Sequence, residues 1–183
     1  MSVRELVTRT YAEWTVLSAL RVGSPIRSKK QVYRSIRRID FTPVVDASRG
    51  PIRRDEFEEW HADTLKKLLE CEPKLFGQVG WAAKMVNVYL KTYAYVGDQG
   101  RPNLREYLHP PIDSGLWKGI KRRFPSRDDI LSNTHCVNSI GAITSPDIYS
   151  KILDGMRMAS EELNCSLVEV EQLWEGTKVA PAA

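Results

Sequence analysis

The sequence predicts an all-α protein, built as a compact multi-helix domain that is either one body or two helical lobes. Apolar residues recur at helical spacing in most segments, and helix-starting residues often precede them. The chain has 183 residues, 42% of them hydrophobic and five of them Trp, which suffices for one core. We therefore predict a single helical domain over residues 1–176 and a disordered tail over residues 177–183.

Two helices of different character are predicted near the N-terminus. Tyr11 and Trp14 belong to an apolar pattern that predicts the first helix, over residues 4–21. The second, over residues 28–39, has a narrow apolar face and many basic residues, which either lie in solvent or bind phosphate. Residues 41–51 contain Pro and Gly and predict an extended connection, with a short strand as an option.

The later helices follow from caps and apolar periodicity. Ser145 before Pro146 marks one helix start. Ser166 with Glu169 three residues later is a capping box for a last helix, which Gly176 would end. Residues 133–144 show no readable pattern. The helices are predicted over residues 53–71, 76–96, 113–123, 126–131, 145–163 and 166–174.

Charge is distributed unevenly along a chain whose net charge is +4. Residues 21–54 are strongly basic and residues 154–175 are acidic, a pattern that suits a nucleic acid or another charged partner. The three cysteines are widely separated, which indicates neither a disulfide framework nor a metal-binding pair. No signal peptide or membrane span is apparent, so we expect a cytoplasmic protein that does not bind membranes.

A polar stripe interrupts the most apolar predicted helix. Lys84, Asn87 and Lys91 recur at spacings of three and four and should share one face. The lysines could simply lie on an exposed edge, whereas Asn87 between Val86 and Val88 would need hydrogen-bond partners if buried. A lysine here could pair with a carboxylate, bind phosphate or, if desolvated, act as an amine nucleophile.

Asp113 is the candidate carboxylate. It follows Pro110 and Pro111 at a predicted helix start, where backbone N–H groups stabilise a negative charge. It is either an ordinary helix cap or a group that stabilises a developing cation and deprotonates a water molecule. Trp117, one turn later, would shield it, and His109 is a candidate for substrate contact.

No cofactor or metal is predicted. His61, His109 and His135 lack the spacing of metal ligands. No phosphate-binding glycine-lysine loop is present, and the segment from Gly77 to Gly80 is too short for a dinucleotide fingerprint.

Two segments resemble the hairpin and catalytic-Asp segments of helix-hairpin-helix DNA glycosylases. They read Phe76-Gly-Gln-Val-Gly-Trp-Ala-Ala-Lys84 and Pro111-Ile-Asp-Ser-Gly-Leu-Trp117, within residues 76–123. The resemblance implies an all-helical, two-lobed fold that flips a damaged or modified base out of the duplex. Asp113 would then assist cleavage of the N-glycosidic bond, and Gly77 and Gly80 would bind backbone phosphate through their N–H groups.

The chain departs from the family pattern in ways that narrow the expected chemistry. The usual Leu-Pro-Gly-Val-Gly hairpin is not intact, and the loop over residues 97–107 lengthens the gap to Asp113. Strand-cutting members carry a lysine at the position of Ala82, whereas Lys84 lies two residues further on. The resemblance therefore implies a monofunctional hydrolase that uses water, without an iron–sulfur cluster.

The complete predicted site combines these residues on double-stranded DNA. Asp113 and Lys84 are the predicted catalytic residues. Substrate contacts are predicted for Asn87, Lys91, His109, Trp117 and Trp81. Contacts to nucleic acid are predicted for Gly77, Gly80, Lys29, Lys30, Arg34, Lys118, Lys121 and Arg122. The alternatives are a non-catalytic nucleic-acid-binding protein and a helical protein-interaction module whose acidic C-terminal helices bind a basic partner.

Overall fold

The computed structural model describes residues 2–20 and 23–175, and every regular element in these ranges is a helix. The predicted all-α class is thereby confirmed. The predicted helix end at Gly176 and the tail over residues 177–183 lie outside the described residues. The α-helices are α1 (Val3–Ala19), α2 (Lys29–Arg37), α3 (Thr42–Val45), α4 (Arg54–Cys71), α5 (Val79–Leu90), α6 (Leu104–Tyr107), α7 (Ser114–Arg123), α8 (Asp128–Thr134) and α9 (Pro146–Leu163).

Shorter helical pieces join these elements. The 3₁₀ segments are Ala47–Arg49, Pro73–Leu75, Ile140–Ala142 and Leu167–Leu173, and a π-helical segment spans Lys91–Val96. In the described ranges, no helix has the length and apolar character needed to cross a membrane.

The helix starts that were predicted from caps are confirmed. The hydroxyl of Ser145 accepts a hydrogen bond from the N–H of Ile148, and Ser166 and Glu169 form the expected capping box. The last segment is a 3₁₀ helix rather than an α-helix. The extended connection predicted after Phe41 is wrong over Thr42–Val45, which forms α3, because Pro43 there occupies a first-turn position where its missing N–H costs nothing.

Helix α5 is the central element of the fold. All its residues are buried, and it packs against α1, α4, α9 and the segment Ile140–Ala142. Gly80 permits the close contact with Ile140–Ala142, because a Cβ atom there would lie 2.3 Å from the carbonyl oxygen of Ile140. Any polar side chain on so deeply buried a helix must find partners inside the protein.

The chain stays helical beyond α5, but its hydrogen bonds widen to the π pattern. The N–H of Gly97 donates to the carbonyl of Thr92 over 3.0 Å. The hydroxyl of Thr92 donates to the carbonyl of Val88 and lies 2.9 Å from the hydroxyl of Thr15 in α1. Such π turns are frequent at functional sites. Here the widened turn begins at Lys91.

The segment Leu167–Leu173 packs directly onto α7. At Gly119 an added Cβ would lie 1.7 Å from the carbonyl oxygen of Leu173, so only glycine allows the two backbones to approach this closely. This contact holds Glu171 and Trp174 beside the N-terminus of α7.

We expect Gly119→Ala to lower the free energy of unfolding by about 1–3 kcal/mol, because the Leu173 backbone must move away from the new methyl group. Urea denaturation would measure the loss. Gly141→Ala is the matched control, since its added Cβ would meet its nearest neighbour at 3.7 Å, and it should change stability by less than about 0.5 kcal/mol. Equal losses in the two variants would contradict the close backbone contact.

Candidate functional site

A cleft of about 560 Å³ lies between α1, the helix formed by α5 and its π extension, and the N-terminus of α7. The segment that follows α9 closes it. We call it the aromatic cleft, because exposed aromatic rings and two Lys–carboxylate pairs line it together. Its residues are Tyr11, Trp14, Thr15, Ser18, Ala19, Lys84, Val88, Lys91, Thr92, Val96, Pro111, Asp113, Glu171 and Trp174.

Asp113 is the N-cap of α7 and contributes one carboxylate oxygen, Oδ2, to this cleft. Its Oδ1 accepts hydrogen bonds from the N–H groups of Gly115 and Leu116 at 2.9 and 3.0 Å, and from the indole N–H of Trp174 at 2.9 Å. Its Oδ2 lies 3.3 Å from Nζ of Lys84. Oδ1 is fully occupied by these donors, so Oδ2 is the oxygen that can receive a further proton donor.

Lys84 pairs with Asp113, as one of the sequence alternatives anticipated. Its side chain is only 9% exposed, and Nζ also lies 5.7 Å from the ring centroid of Trp81. A buried ammonium is unfavourable unless a negative group compensates it, which Asp113 does. The two residues therefore act as one unit.

Lys91 forms a second ion pair in the same cleft. Its Nζ lies 2.8 Å from Oε1 of Glu171. Burial raises the pKa of Glu171 above its ordinary value; the charge of Lys91 opposes this rise, while the negative charge of Asp113 adds to it. Sequence reasoning did not assign Glu171 to the site, because it lies far along the chain from Lys91.

Three aromatic rings are exposed around the cleft. Tyr11 and Trp14 of α1 stack at a centroid distance of 5.5 Å, and Trp14 is 51% exposed. Trp174 is 40% exposed and is held by Asp113. The sequence placed Trp14 in the apolar pattern of the first helix but gave no signal for Trp174. Together these rings can stack on a flat ligand.

Asn87 faces away from the aromatic cleft, in contrast to its predicted place in one stripe with the lysines. Its Nδ2 donates to the carbonyl of Pro110 at 3.1 Å and to the hydroxyl of Tyr149 at 2.9 Å. Its Oδ1 lies 2.8 Å from Nε2 of His61. The expected hydrogen-bond partners of a buried Asn87 are thus present, and the side chain anchors the proline turn that precedes Asp113.

His109 lies in the same interior network rather than in the cleft. Its Nδ1 is 3.2 Å from the hydroxyl of Tyr149, and its Nε2 is 3.2 Å from Glu58. We call Glu58, His61, Asn87, His109 and Tyr149 the buried polar network. Its members come from α4, α5, α9 and the turn before α7, so it joins these elements.

Trp81 and Trp117 are both buried, and only Trp81 touches the ion pair. Trp117 donates its indole N–H to the carbonyl of Thr134 over 2.7 Å and packs toward α8. Trp174, whose ring contacts Asp113 directly, therefore shields Asp113 in place of Trp117.

The predicted nucleic-acid contacts are mostly at the surface. The basic residues of α2 and α7 are exposed, although Arg122 pairs with Glu175 at 2.8 Å. Gly80 is an exception, because its N–H donates to the carbonyl of Ile143 and cannot bind phosphate as well. Gly77 is exposed, with a positive φ of 67°. The exposed predicted side chains are Lys29, Lys30, Arg34, Lys118, Lys121 and Arg122.

Burial shifts the titration of the polar network. Burial and, to a smaller extent, the nearby His109 lower the pKa of His61 to about 3, while the hydrogen bond with Asn87 and the charge of Glu58 oppose the shift. For Glu58, burial alone would raise the pKa, but the hydrogen bond from His109 and the charge of Arg157 lower it to about 2. His61 is therefore neutral at ordinary pH.

We expect acid to destabilise the protein through His61. Its folded-state pKa of about 3 lies below the ordinary value of 6.5, so the unfolded chain binds a proton that the folded chain does not. This contribution is complete above pH 6.5 and is lost as the pH falls, with a slope of up to about 1.4 kcal/mol per pH unit.

Urea denaturation between pH 5 and 6.5 would test this, since Glu58 contributes only below its ordinary value of 4.5. His61→Gln removes this titrating group, and we expect it to reduce the pH dependence, leaving the contribution of His135, whose pKa burial also lowers. If the free energy of unfolding changed with pH by the same slope in the unmodified protein and in His61→Gln, His61 would not titrate as described.

No model of a known protein family matches the sequence, and no curated protein or solved structure matches it. In the part of the chain that the structure describes, no group of three or more His, Cys, Asp and Glu side chains could hold a metal ion.

Proposed function

We propose that the protein is a DNA-binding hydrolase similar to monofunctional DNA glycosylases, which flips a damaged or modified base and cleaves its N-glycosidic bond with water. The observation that carries the proposal is the position of Asp113, whose Oδ2 is paired with Lys84 inside a cleft bordered by exposed aromatic rings. The fold supplies a carboxylate, a cation and a stacking surface in one cavity.

The reaction uses Asp113 in two ways. As the bond between C1′ and the base nitrogen breaks, its electron pair leaves with the base and positive charge develops on the sugar, which the carboxylate stabilises. A water molecule adds its oxygen to C1′ and gives a proton to Oδ2 of Asp113. That proton passes to solvent, and the leaving base takes up a proton, so the net reaction adds one water across the bond.

The aromatic rings account for recognition of the base. Flipping a base costs a few kcal/mol, least for a damaged or mismatched base. Stacking on an aromatic side chain returns about 1–3 kcal/mol per base. Tyr11, Trp14 and Trp174 offer such surfaces at the cleft.

Lys84 and Lys91 shape the electrostatics of the site. Lys84 fixes the orientation of the Asp113 carboxylate through their pair, and Lys91 holds Glu171 in the same way. Both lysines line the cleft, so in this proposal their amines would meet the sugar or a phosphate of the flipped nucleotide. The exposed cations of α2 and α7 would contact the DNA backbone, which dominates affinity.

The test is incubation of the protein with duplex DNAs that each carry one damaged or naturally modified base. Mass spectrometry would detect the released base, and alkali would cleave the resulting abasic site. We expect release from at least one substrate, with strands that stay intact until alkali is added.

A salt titration of DNA binding separates the outcomes. A steep fall of affinity with salt, without base release from any substrate, would replace the proposal with a non-catalytic nucleic-acid-binding protein. Negligible DNA affinity at low salt would favour a protein-interaction module.

A further inference from the structure

A second cavity, of about 550 Å³, lies between α4 and α9 and shares no lining residue with the aromatic cleft. We call it the α4–α9 cavity. Its walls include the apolar side chains of Leu65, Leu69, Val79 and Leu153. Four members of the buried polar network, Glu58, His61, His109 and Tyr149, also line it, so an apolar space ends at a few polar groups, as ligand pockets commonly do.

The hydrogen bonds of Asn87 fix the tautomer of His61. The carbonyl oxygen of Pro110 can only accept, so the group of Asn87 that meets it is the donor Nδ2. The remaining oxygen, Oδ1, can only accept and lies 2.8 Å from Nε2 of His61. Nε2 of His61 therefore carries the proton.

The other ring nitrogen of His61 is consequently a bare acceptor. Burial keeps the ring neutral, so Nδ1 carries a lone pair instead of a proton. Although His61 is only 2% exposed, Nδ1 has no hydrogen-bond partner among the described residues. It is not one of their fully enclosed unpaired atoms either, so it borders accessible space, and His61 lines the α4–α9 cavity.

An unpaired acceptor at the end of an apolar cavity is unfavourable until a donor reaches it. Two of the side chains that line the cavity are flat rings that stack on each other, since the rings of His61 and Tyr149 lie 5.9 Å apart at an interplanar angle of 11°. Arg157 pairs with Glu58 at the cavity, and the other charged side chains that line it, Asp63 and Lys66, are exposed to solvent. The missing partner is thus an uncharged donor on a flat, apolar body.

We propose that the α4–α9 cavity binds a small aromatic molecule with one phenolic O–H or heteroaromatic N–H group, whose proton is donated to Nδ1 of His61. This site is independent of base cleavage in the aromatic cleft. It also differs from a metal site, because the described residues offer no cluster of metal ligands around the single available nitrogen.

Phenol and anisole are the matched probes, since methylation removes the donor and keeps the ring. Nuclear magnetic resonance of protein with ¹⁵N-labelled histidine would follow Nδ1 of His61 during titration. We expect saturable binding, with phenol about 3- to 10-fold tighter than anisole, the value of one net hydrogen bond. Phenol, but not anisole, should move the Nδ1 signal upfield.

Two kinds of variant locate the binding. Ala62→Trp and Ser150→Trp place a large ring at exposed positions that line the cavity, so they should abolish binding of both probes without altering the melting temperature. His61→Phe removes the acceptor and keeps a ring, so phenol and anisole should then bind equally.

Three results would overturn the proposal. They are the absence of saturable binding by phenol and indole, equal binding of phenol and anisole to the unmodified protein, and binding that persists in both Trp variants. None of these results bears on base release, which is measured with duplex DNA and is proposed for the aromatic cleft.

Discussion

Asp113→Asn is expected to reduce base release by about 10²- to 10⁴-fold while changing DNA affinity by less than about threefold. The amide cannot carry the negative charge that stabilises the sugar cation, and it cannot accept a proton from water. Its oxygen can still cap α7 by accepting from Gly115 and Leu116, because Asn caps helices about as well as Asp. Single-turnover base release and a DNA titration would measure the two effects.

A matched control separates chemistry from helix capping. Asp147 also lies in the first turn of a helix, α9, but is exposed and outside the aromatic cleft. Asp147→Asn should therefore leave base release unchanged. If Asp113→Asn released base at the unmodified rate, Asp113 would be a helix cap only.

Loss of stability in Asp113→Asn needs its own control, because Lys84 would become a buried, unpaired charge. Adding Lys84→Met removes that charge and keeps an unbranched side chain of similar length. We expect this double variant to recover the melting temperature but not base release. Recovery of both would assign the loss in the single variant to unfolding.

The parts of the site that the sequence predicted are those encoded by neighbouring residues. The cap at Asp113 follows from the proline pair and the helix that comes after it. The pairing of Lys84 with a carboxylate was one of the stated alternatives. In contrast, Glu171 and Trp174 reach the cleft only because the chain after α9 returns to α7 through the contact at Gly119. No local pattern encodes that return.

The predicted polar stripe fails for a geometric reason. At about 100° per residue, Lys91 returns to within about 20° of Lys84, whereas Asn87 lies about 60° away from it. On an exposed helix, residues about 60° apart still share the broad face that meets water. On α5, which is buried all round, it separates the aromatic cleft from the buried polar network.

The loop after the π segment is another feature that the sequence left unexplained, and Arg101 explains how it is held. Its side chain is 4% exposed, and its Nε and Nη2 donate to the carbonyls of Gly50 and Pro51 at 2.8 and 2.9 Å. Nη1 donates to the carbonyl of Pro43 at 2.8 Å, and the guanidinium pairs with Glu56 of α4. One side chain therefore ties the loop to α3, to the turn after it and to α4.

We expect Arg101→Ala to lower the free energy of unfolding by about 3–5 kcal/mol, the largest stability loss among these predictions. The change removes a buried charge from its partner Glu56 and leaves three backbone carbonyls without their donor. The free energy of unfolding of Arg101→Lys should lie between those of the unmodified protein and Arg101→Ala. An ammonium keeps the charge but cannot reach all of these acceptors in one plane. Urea denaturation at neutral pH would rank the three.

Arg105→Ala is the control, since Arg105 belongs to the same part of the chain and also pairs with a carboxylate, Asp98, at 3.7 Å. Both partners of that pair are largely exposed, and such pairs contribute at most about 1 kcal/mol. If Arg101→Ala cost no more than Arg105→Ala, the buried guanidinium would not be what holds the loop. A much larger loss of stability in Arg101→Ala would mean that the loop over residues 97–107 is a fixed part of the fold. The longer gap before Asp113 would then not loosen the site.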